Sequence, residues 1–246
     1  MTEGFPPVGS DRAVEFGVVL AEWNPYHAPL GTTLEVGLVK SMPAMLFLLC
    51  VLCGCLPGKP DRLTEYTSMD EARKQPAQVQ YLNLYAKDLA AVPEDLTQFT
   101  ALRKLGLRHN QVATVPDDVA RLTNLEWLDL SENDLTALPV GLGKLTNLKT
   151  LYLTDNKLTA LPEDLAGFSG LTYLNLDRNQ LAATPPGIGA LVQLRWLRLS
   201  NNKLTALPDE IGKLSNLKRL YLRGNDIPDG EKARLAKLLP RTDIAY

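Results

Sequence analysis

The chain has 246 residues, of which 45% are hydrophobic, and a formal net charge of −2. This length and composition allow a sizeable buried core, and the lack of a basic excess argues against nucleic acid as a partner. All three cysteines lie between Cys50 and Cys55, so a disulfide framework across the rest of the chain is excluded.

The N-terminal part contains a candidate export signal. Residues 1–38 show no hydrophobic period, and after Lys40 comes an apolar run, 42–54, that is too short to span a bilayer but suits a signal peptide. We therefore interpret residues 39–54 as a signal peptide. Because a signal peptide begins a chain, our hypothesis is that residues 1–38 are not translated and that Val39 is the true start. A disordered or unusually long N-terminal segment is the alternative.

The stretch 52–55 reads Leu-Cys-Gly-Cys and resembles the lipobox of bacterial lipoproteins. The resemblance implies that Cys55 is the first residue of the mature protein and carries the lipid, with residues 55–67 as a lipid-anchored tether. A signal or anchor without lipid and a buried apolar segment are the alternatives. Leu56, rather than an aspartate, follows the cysteine, which is consistent with sorting to the outer membrane if the organism is Gram-negative.

A short helix is predicted next. Ser68 followed three residues later by Glu71 forms a capping box, and the pair Gln75-Pro76 ends the helix. We assign residues 68–78 to an N-terminal cap helix that covers the open edge of the first repeat, because repeat arrays need such caps for solubility.

Residues 79–227 contain seven repeats of the pattern LxxLxLxxNxL, followed by an apolar residue and proline. The repeats start 23 residues apart, at Val79, Leu102, Leu125, Leu148, Leu171, Leu194 and Leu217. The alternation in LxL predicts a short strand with one buried face, and the proline ends it. The short stretch after the proline favours a 3₁₀ or irregular turn. Stacking then pairs the strands in parallel, since one repeat alone buries too little apolar surface to fold.

This repeat resembles the leucine-rich repeat family. The resemblance implies an α/β leucine-rich repeat solenoid, a curved stack with parallel strands on the concave face, 3₁₀ or irregular turns on the convex face, and helical caps. Residues 228–246 fit the C-terminal cap, because Leu235, Leu238 and Leu239 lie at helical spacing and residues 242–246 suit a final strand.

Two columns of the repeat are interpreted as structural. One asparagine per repeat is expected to bond backbone groups of neighbouring turns, at Asn110, Asn133, Asn156, Asn179, Asn202 and Asn225. The proline column fixes the turn after each strand. Thr184 takes the place of the apolar residue before proline, and the following Pro185-Pro186 is expected to distort the convex wall locally.

The exposed strand positions are the candidate binding site, since aromatic and arginine side chains are enriched where proteins bind each other. The residues predicted to contact a ligand on the concave face are Tyr81, Tyr85, Arg108, Trp127, Asp129, Tyr152, Tyr173, Asp177, Trp196, Arg198, Arg219 and Tyr221.

The sequence thus predicts a non-catalytic recognition module, anchored by lipid at the bacterial cell envelope, that binds a protein or peptide. No cofactor, metal or nucleic acid is expected, and a monomer is predicted. An enzyme is disfavoured because the repeats contain one histidine and no cysteine. The alternative is a soluble intracellular leucine-rich repeat scaffold in the cytoplasm.

Overall fold

The computed structural model describes residues 63–246. It contains nine strands in one parallel sheet, and each strand pairs with the next in sequence. The strands are β1 (Glu65–Tyr66), β2 (Tyr81–Asn83), β3 (Lys104–Gly106), β4 (Trp127–Asp129), β5 (Thr150–Tyr152), β6 (Tyr173–Asn175), β7 (Trp196–Arg198), β8 (Arg219–Tyr221) and β9 (Asp243–Ala245). The predicted solenoid of parallel strands is confirmed. The signal peptide, Cys55 and residues 1–38 lie outside the described residues.

The strands are held in register by their central residues. Each of β2 to β8 has a leucine at its centre, and this leucine pairs with the leucine of the next strand, as Leu128 does with Leu151. The central leucines and those of the following LxxN segment are buried in one continuous core. Successive side chains of a strand point to opposite faces, so the first and third residues of each strand face away from this core.

Seven short 3₁₀ segments form the opposite wall. They are Pro76–Gln78, Glu94–Gln98, Asp117–Arg121, Val140–Lys144, Ala166–Phe168, Pro186–Ala190 and Asp209–Lys213. Five of them begin directly after the proline of the repeat, whose backbone is extended and therefore ends the preceding segment. The segment Pro186–Ala190 has five residues, as Val140–Lys144 and Asp209–Lys213 do, so Pro185-Pro186 does not interrupt the 3₁₀ turn as expected. The shorter segment is the preceding one, Ala166–Phe168.

The N-terminal cap differs from the sequence prediction. Its helix α1 (Met69–Ala72) covers only four residues of the 68–78 segment, and a separate 3₁₀ turn follows at Pro76. Ser68 caps the helix as expected, because its hydroxyl accepts a hydrogen bond from the Glu71 backbone N–H at 3.3 Å. The stretch assigned to the tether contains a strand instead, since β1 pairs with β2 and extends the sheet by one strand.

At the C-terminal end, helix α2 (Asp229–Leu238) packs against the last 3₁₀ segment, Asp209–Lys213. It buries Leu235 and is followed by Leu239, which is also buried. The chain then returns to the sheet as β9, which pairs with β8. No helix between residues 63 and 246 is long and apolar enough to cross a membrane.

The asparagine column forms the expected ladder. Asn133 is typical: its Nδ2 donates to Leu107 O of the preceding repeat and to Leu130 O of its own, while its Oδ1 accepts from the Val112 N–H. The same pattern recurs at Asn156, Asn179 and Asn202. Each amide therefore joins the turns of adjacent repeats in the interior, where water does not reach them.

Candidate functional site

The concave face of the sheet consists of the first and third residue of each strand and the second residue after each strand. The sequence-predicted contact residues all occupy these positions. Neighbouring strands of a parallel sheet lie about 4.8 Å apart, so equivalent residues of successive repeats form rows across the face. The register places Trp127 beside Thr150, and Tyr173 beside Trp196.

The first half of this face carries a connected group of rings, which we call the aromatic cluster: Tyr81, Trp127, Tyr152 and Tyr173. The centroids of Tyr81 and Trp127 are 6.3 Å apart in an edge-to-face arrangement, and those of Trp127 and Tyr152 are 5.9 Å apart. Tyr152 and Tyr173 lie at 5.0 Å. Each pair has a separation typical of favourable ring contacts, so the cluster presents a preorganised apolar surface.

The tyrosines of the cluster remain neutral phenols. Burial, followed by the negative charge of Glu65, raises the pKa of Tyr81 to about 12. The pKa of Tyr152 is raised further, mainly by burial and then by Tyr173 and Asp129, and burial also raises the pKa of Tyr173. The cluster therefore carries no charge of its own on these three rings.

A polar ridge flanks the cluster on the loops that follow β2 to β4. The ring of Tyr85, which is 50% exposed, stacks on His109 with centroids 5.7 Å apart. His109 Nδ1 lies 2.8 Å from Glu132 Oε2, and Arg108 Nε donates to Glu132 Oε1 at 3.0 Å. Burial favours a higher pKa for Glu132, but hydrogen bonds from Arg108 and His109 outweigh it and lower the pKa.

Two predicted contact residues, Asp129 and Asp177, are not exposed. Each is only 2% accessible, so neither presents its carboxylate to solvent as expected. The Oδ1 of Asp129 accepts from the Ser131 N–H at 2.9 Å, a local turn that ends the strand. Asp177 Oδ1 accepts from the Ser200 N–H at 2.7 Å. Short side chains at these positions serve the backbone and lie below the larger residues around them.

The second half of the face alternates arginines and aromatic rings. Four residues on β7 and β8 form what we call the arginine–aromatic square: Trp196, Arg198, Arg219 and Tyr221. Trp196 pairs with Arg219 and Arg198 pairs with Tyr221. The guanidinium of Arg198 lies 4.8 Å from the Tyr221 ring centroid, and Arg219 Nη1 donates to the Tyr221 hydroxyl at 3.2 Å. Trp196 is 38% exposed.

Lys104 and His109 contact rings of this surface although neither is in the predicted set. Lys104 lies on the face with its Nζ 5.8 Å from the Tyr81 centroid, and His109 stacks on Tyr85. Lys104 is the first residue of β3, so its position in the repeat already indicates that it lies on the concave face. His109 lies just outside the strand rows, so the repeat pattern alone does not identify it. Between residues 63 and 246, no group of three or more His, Cys, Asp or Glu side chains is arranged to hold a metal.

Comparisons with known proteins agree with this architecture. Residues 123–181 match a family model described as leucine rich repeat, and residues 192–230 match one described as leucine rich repeats in two copies. No curated protein matches the sequence. An internalin from Listeria monocytogenes superposes with a TM-score of 0.61 at 21% identity, covering 73% of this chain and 51% of that one. The chain thus spans about half the length of the internalin.

A leucine-rich repeat protein of Leptospira interrogans is 19% identical, with a TM-score of 0.28, and the match covers 74% of this chain and 100% of that one. Repeats of 23 residues place nine parallel strands in register and bury one leucine core. Residues 123–181 and 192–230 are thus leucine-rich repeats, and residues 63–246 have the fold of a leucine-rich repeat solenoid.

Proposed function

We propose that this protein is a non-catalytic recognition module that binds a protein or peptide on its concave face. The observation that carries the proposal is the aromatic cluster, beside which the strand register places the exposed Trp196 next to Tyr173. Tryptophan, tyrosine and arginine dominate the residues that supply binding energy at protein interfaces. An exposed surface of this composition is unusual unless it meets a partner.

The arrangement of the rings supports binding rather than mere filling of the face. Ring contacts hold Trp127 between Tyr81 and Tyr152, so little side-chain freedom remains to be lost when a ligand binds. We propose binding by a single copy of the chain, without metal, cofactor or nucleic acid.

The test is capture of crosslinked partners from an envelope fraction with wild type and with Trp127→Ala/Trp196→Ala. The matched control is Val140→Ala/Val192→Ala, which removes two exposed apolar side chains away from the concave face. Circular dichroism must first show that all three proteins are folded. We expect partners lost only with the tryptophan variant, whereas the same partners with all three proteins would refute the concave site.

We also propose that the module is anchored at the bacterial envelope through a lipid on Cys55, in the outer membrane if the organism is Gram-negative. The support is the sequence 39–55, with its short apolar run and terminal Leu-Cys-Gly-Cys. Two or three acyl chains give a stable anchor, whereas one is marginal. Metabolic palmitate labelling of wild type and Cys55→Ala tests the proposal: label on wild type only is expected, and unlabelled wild type would favour the cytoplasmic scaffold.

The proposed start at Val39 has its own test. Mass spectrometry of the protein expressed from its native locus should detect no peptide from residues 1–38. Any such peptide would refute the misplaced start.

A further inference from the structure

The two halves of the concave face differ in charge. Around the aromatic cluster, basic and acidic groups are paired, as in Arg108 with Glu132 and Arg103 with Glu126. On β7, β8 and the residues directly beside these strands in the sequence, basic residues predominate: Arg195, Arg198, Lys218, Arg219 and Arg223. Two acidic groups lie beside them. Asp177 is buried and paired with Arg198, and Asp243 is exposed, with a carboxylate oxygen 3.9 Å from Arg219 Nε.

Arg198 is fixed in position from two sides. Its Nε donates to Asp177 Oδ2 at 2.6 Å, and the face of its guanidinium lies over the ring of Tyr221. Asp177 is itself held by the Ser200 N–H, so the carboxylate cannot turn away without losing a buried hydrogen bond. Asp177 is therefore a positioning residue for Arg198, which explains why a carboxylate is buried beneath a binding face.

Within residues 63–246, Arg198 hydrogen-bonds through its Nε and stacks through the face of its guanidinium, and neither contact uses the terminal nitrogens Nη1 and Nη2. A guanidinium held in this way presents two parallel N–H groups, the geometry that binds a carboxylate in a bidentate manner. Part of the entropy cost of ordering the side chain is already met in the free protein. The indole of Trp196, two residues before Arg198 on the same strand, offers an apolar contact beside this fork.

We propose that the arginine–aromatic square binds an acidic linear segment of a partner protein, with one Asp or Glu carboxylate on Arg198 and an adjacent apolar side chain on Trp196. This deepens and rests on the proposed recognition function. The net positive charge of this half of the face provides the electrostatic complementarity. The near-neutral aromatic cluster then accommodates the less charged remainder of the segment.

The test uses random peptides displayed on phage and selected on the full-length chain, immobilised through a C-terminal tag. Selections on wild type, Arg198→Gln and Arg121→Gln are compared. Arg121 ends a 3₁₀ segment on the opposite wall, so its substitution changes net charge equally without touching the concave face. We expect Asp and Glu to be enriched beside apolar residues with wild type and Arg121→Gln, and this enrichment to be lost with Arg198→Gln.

Affinities of a selected peptide then test the geometry. Arg198→Gln should weaken binding at least about tenfold, because a charge-assisted hydrogen bond is lost. Replacing the acidic residues of the peptide by Asn and Gln should weaken binding to wild type similarly, and the two changes together should cost little more than either alone. Arg198→Lys should also bind weakly, since an ammonium lacks the bidentate fork. Wild-type affinity in Arg198→Lys would refute bidentate binding of the carboxylate by the Arg198 guanidinium.

Other outcomes separate this proposal from the general function. Peptides that lack acidic residues and depend on Trp127 and Trp196 but not on Arg198 would overturn the acidic anchor and leave the concave site standing. Peptides independent of all three residues would overturn both. Heparin binding that requires Arg198, without selection of any acidic peptide, would overturn the peptide assignment in favour of an anionic glycan.

Discussion

Each asparagine of the ladder hydrogen-bonds backbone groups of two neighbouring repeats. Asn156 Oδ1 accepts from the Leu135 N–H at 3.0 Å, and its Nδ2 donates to Leu130 O at 2.9 Å and Leu153 O at 3.1 Å. In Asn156→Ala the two carbonyl oxygens keep a second asparagine donor, from Asn133 and Asn179, but the Leu135 N–H loses its acceptor. The free energy of unfolding should therefore fall by about 1–3 kcal/mol, the cost of one unsatisfied buried group. Urea unfolding followed by circular dichroism measures the loss.

The last rung of the ladder is the control for this prediction. Asn225 bonds the Leu204 N–H and the oxygens of Leu199 and Leu222, but it is partly exposed. Water can replace its amide, so Asn225→Ala should cost clearly less than Asn156→Ala. Equal losses would mean that burial of the bonded groups does not determine the effect.

Thr184 is a local defect of the core. It takes an apolar position of the repeat and is buried, and its Oγ1 has no hydrogen-bond partner among residues 63–246. Thr184→Val replaces the hydroxyl by a methyl group of similar size and should raise the free energy of unfolding by about 1 kcal/mol, since an unsatisfied buried hydroxyl is costly.

Val115 occupies the same column in the second repeat and is buried to a similar degree. Val115→Thr should therefore destabilise the protein by a comparable amount. Denaturant unfolding of both variants shows whether each substitution raises or lowers the free energy of unfolding. Destabilisation by Thr184→Val would show that the Thr184 hydroxyl forms a hydrogen bond in the folded protein.

At the scale of elements, each strand ends in the same backbone turn. The third residue after every strand from β2 to β8 has a positive φ, between 50° and 59° at the six non-glycine positions and 74° at Gly224. Left-handed backbone costs an L-residue roughly 1–2 kcal/mol, and Ala86 has no polar side chain to offset it. Ala86→Gly should therefore stabilise the protein by about 1 kcal/mol.

An alanine-to-glycine substitution inside a helix should instead lower the free energy of unfolding. Ala236 lies in helix α2 and is exposed, so Ala236→Gly should destabilise by about 1 kcal/mol through lost helix propensity. Thermal unfolding of the two variants compares the signs directly. If both variants are destabilised, the turn after β2 does not require positive φ.

The polar ridge makes stability depend on pH. The folded-state pKa of Glu132 is lowered, so its contribution is fully present above its unfolded pKa, about 4.3, and is lost as pH falls through the folded value. The difference in unfolding free energy between wild type and Glu132→Gln should be constant near pH 7 and shrink below about pH 5. A series of urea titrations from neutral to acidic pH tests this, and a constant difference would contradict it.

The sequence predicted the repeat architecture well because stacking imposes it. The alternating leucines determine the parallel strands, the proline column determines the turn after each strand, and the asparagine column determines the ladder between repeats. All three features lie where expected. Exposure on the concave face was less predictable, since Asp129 at the end of β4 and Asp177 just after β6 occupy concave-face positions but are buried and bond backbone N–H groups. Strand β1 was missed because two residues are too few to show alternation.

For the molecule as a whole, stability should depend on its C-terminal cap in a graded way. Leu235 of α2 is fully buried, and α2 packs close to the last 3₁₀ segment, where Leu238 approaches Gly212. Leu235→Ala should cost about 2–5 kcal/mol at its site. Because each repeat contacts only its neighbours, we expect this loss to open the last repeats before the middle of the array.

Hydrogen exchange resolves where the array opens. In Leu235→Ala, amides of β8 and β9 should lose protection strongly, those of β7 less, and those of β3 to β5 little. Lys237→Ala, an exposed substitution in the same helix, should leave the pattern of wild type. Equal loss of protection along the whole sheet would mean that the array unfolds as one cooperative unit. The arginine–aromatic square lies on β7 and β8, so graded opening would also make ligand affinity fall in Leu235→Ala, although no residue of the square is changed.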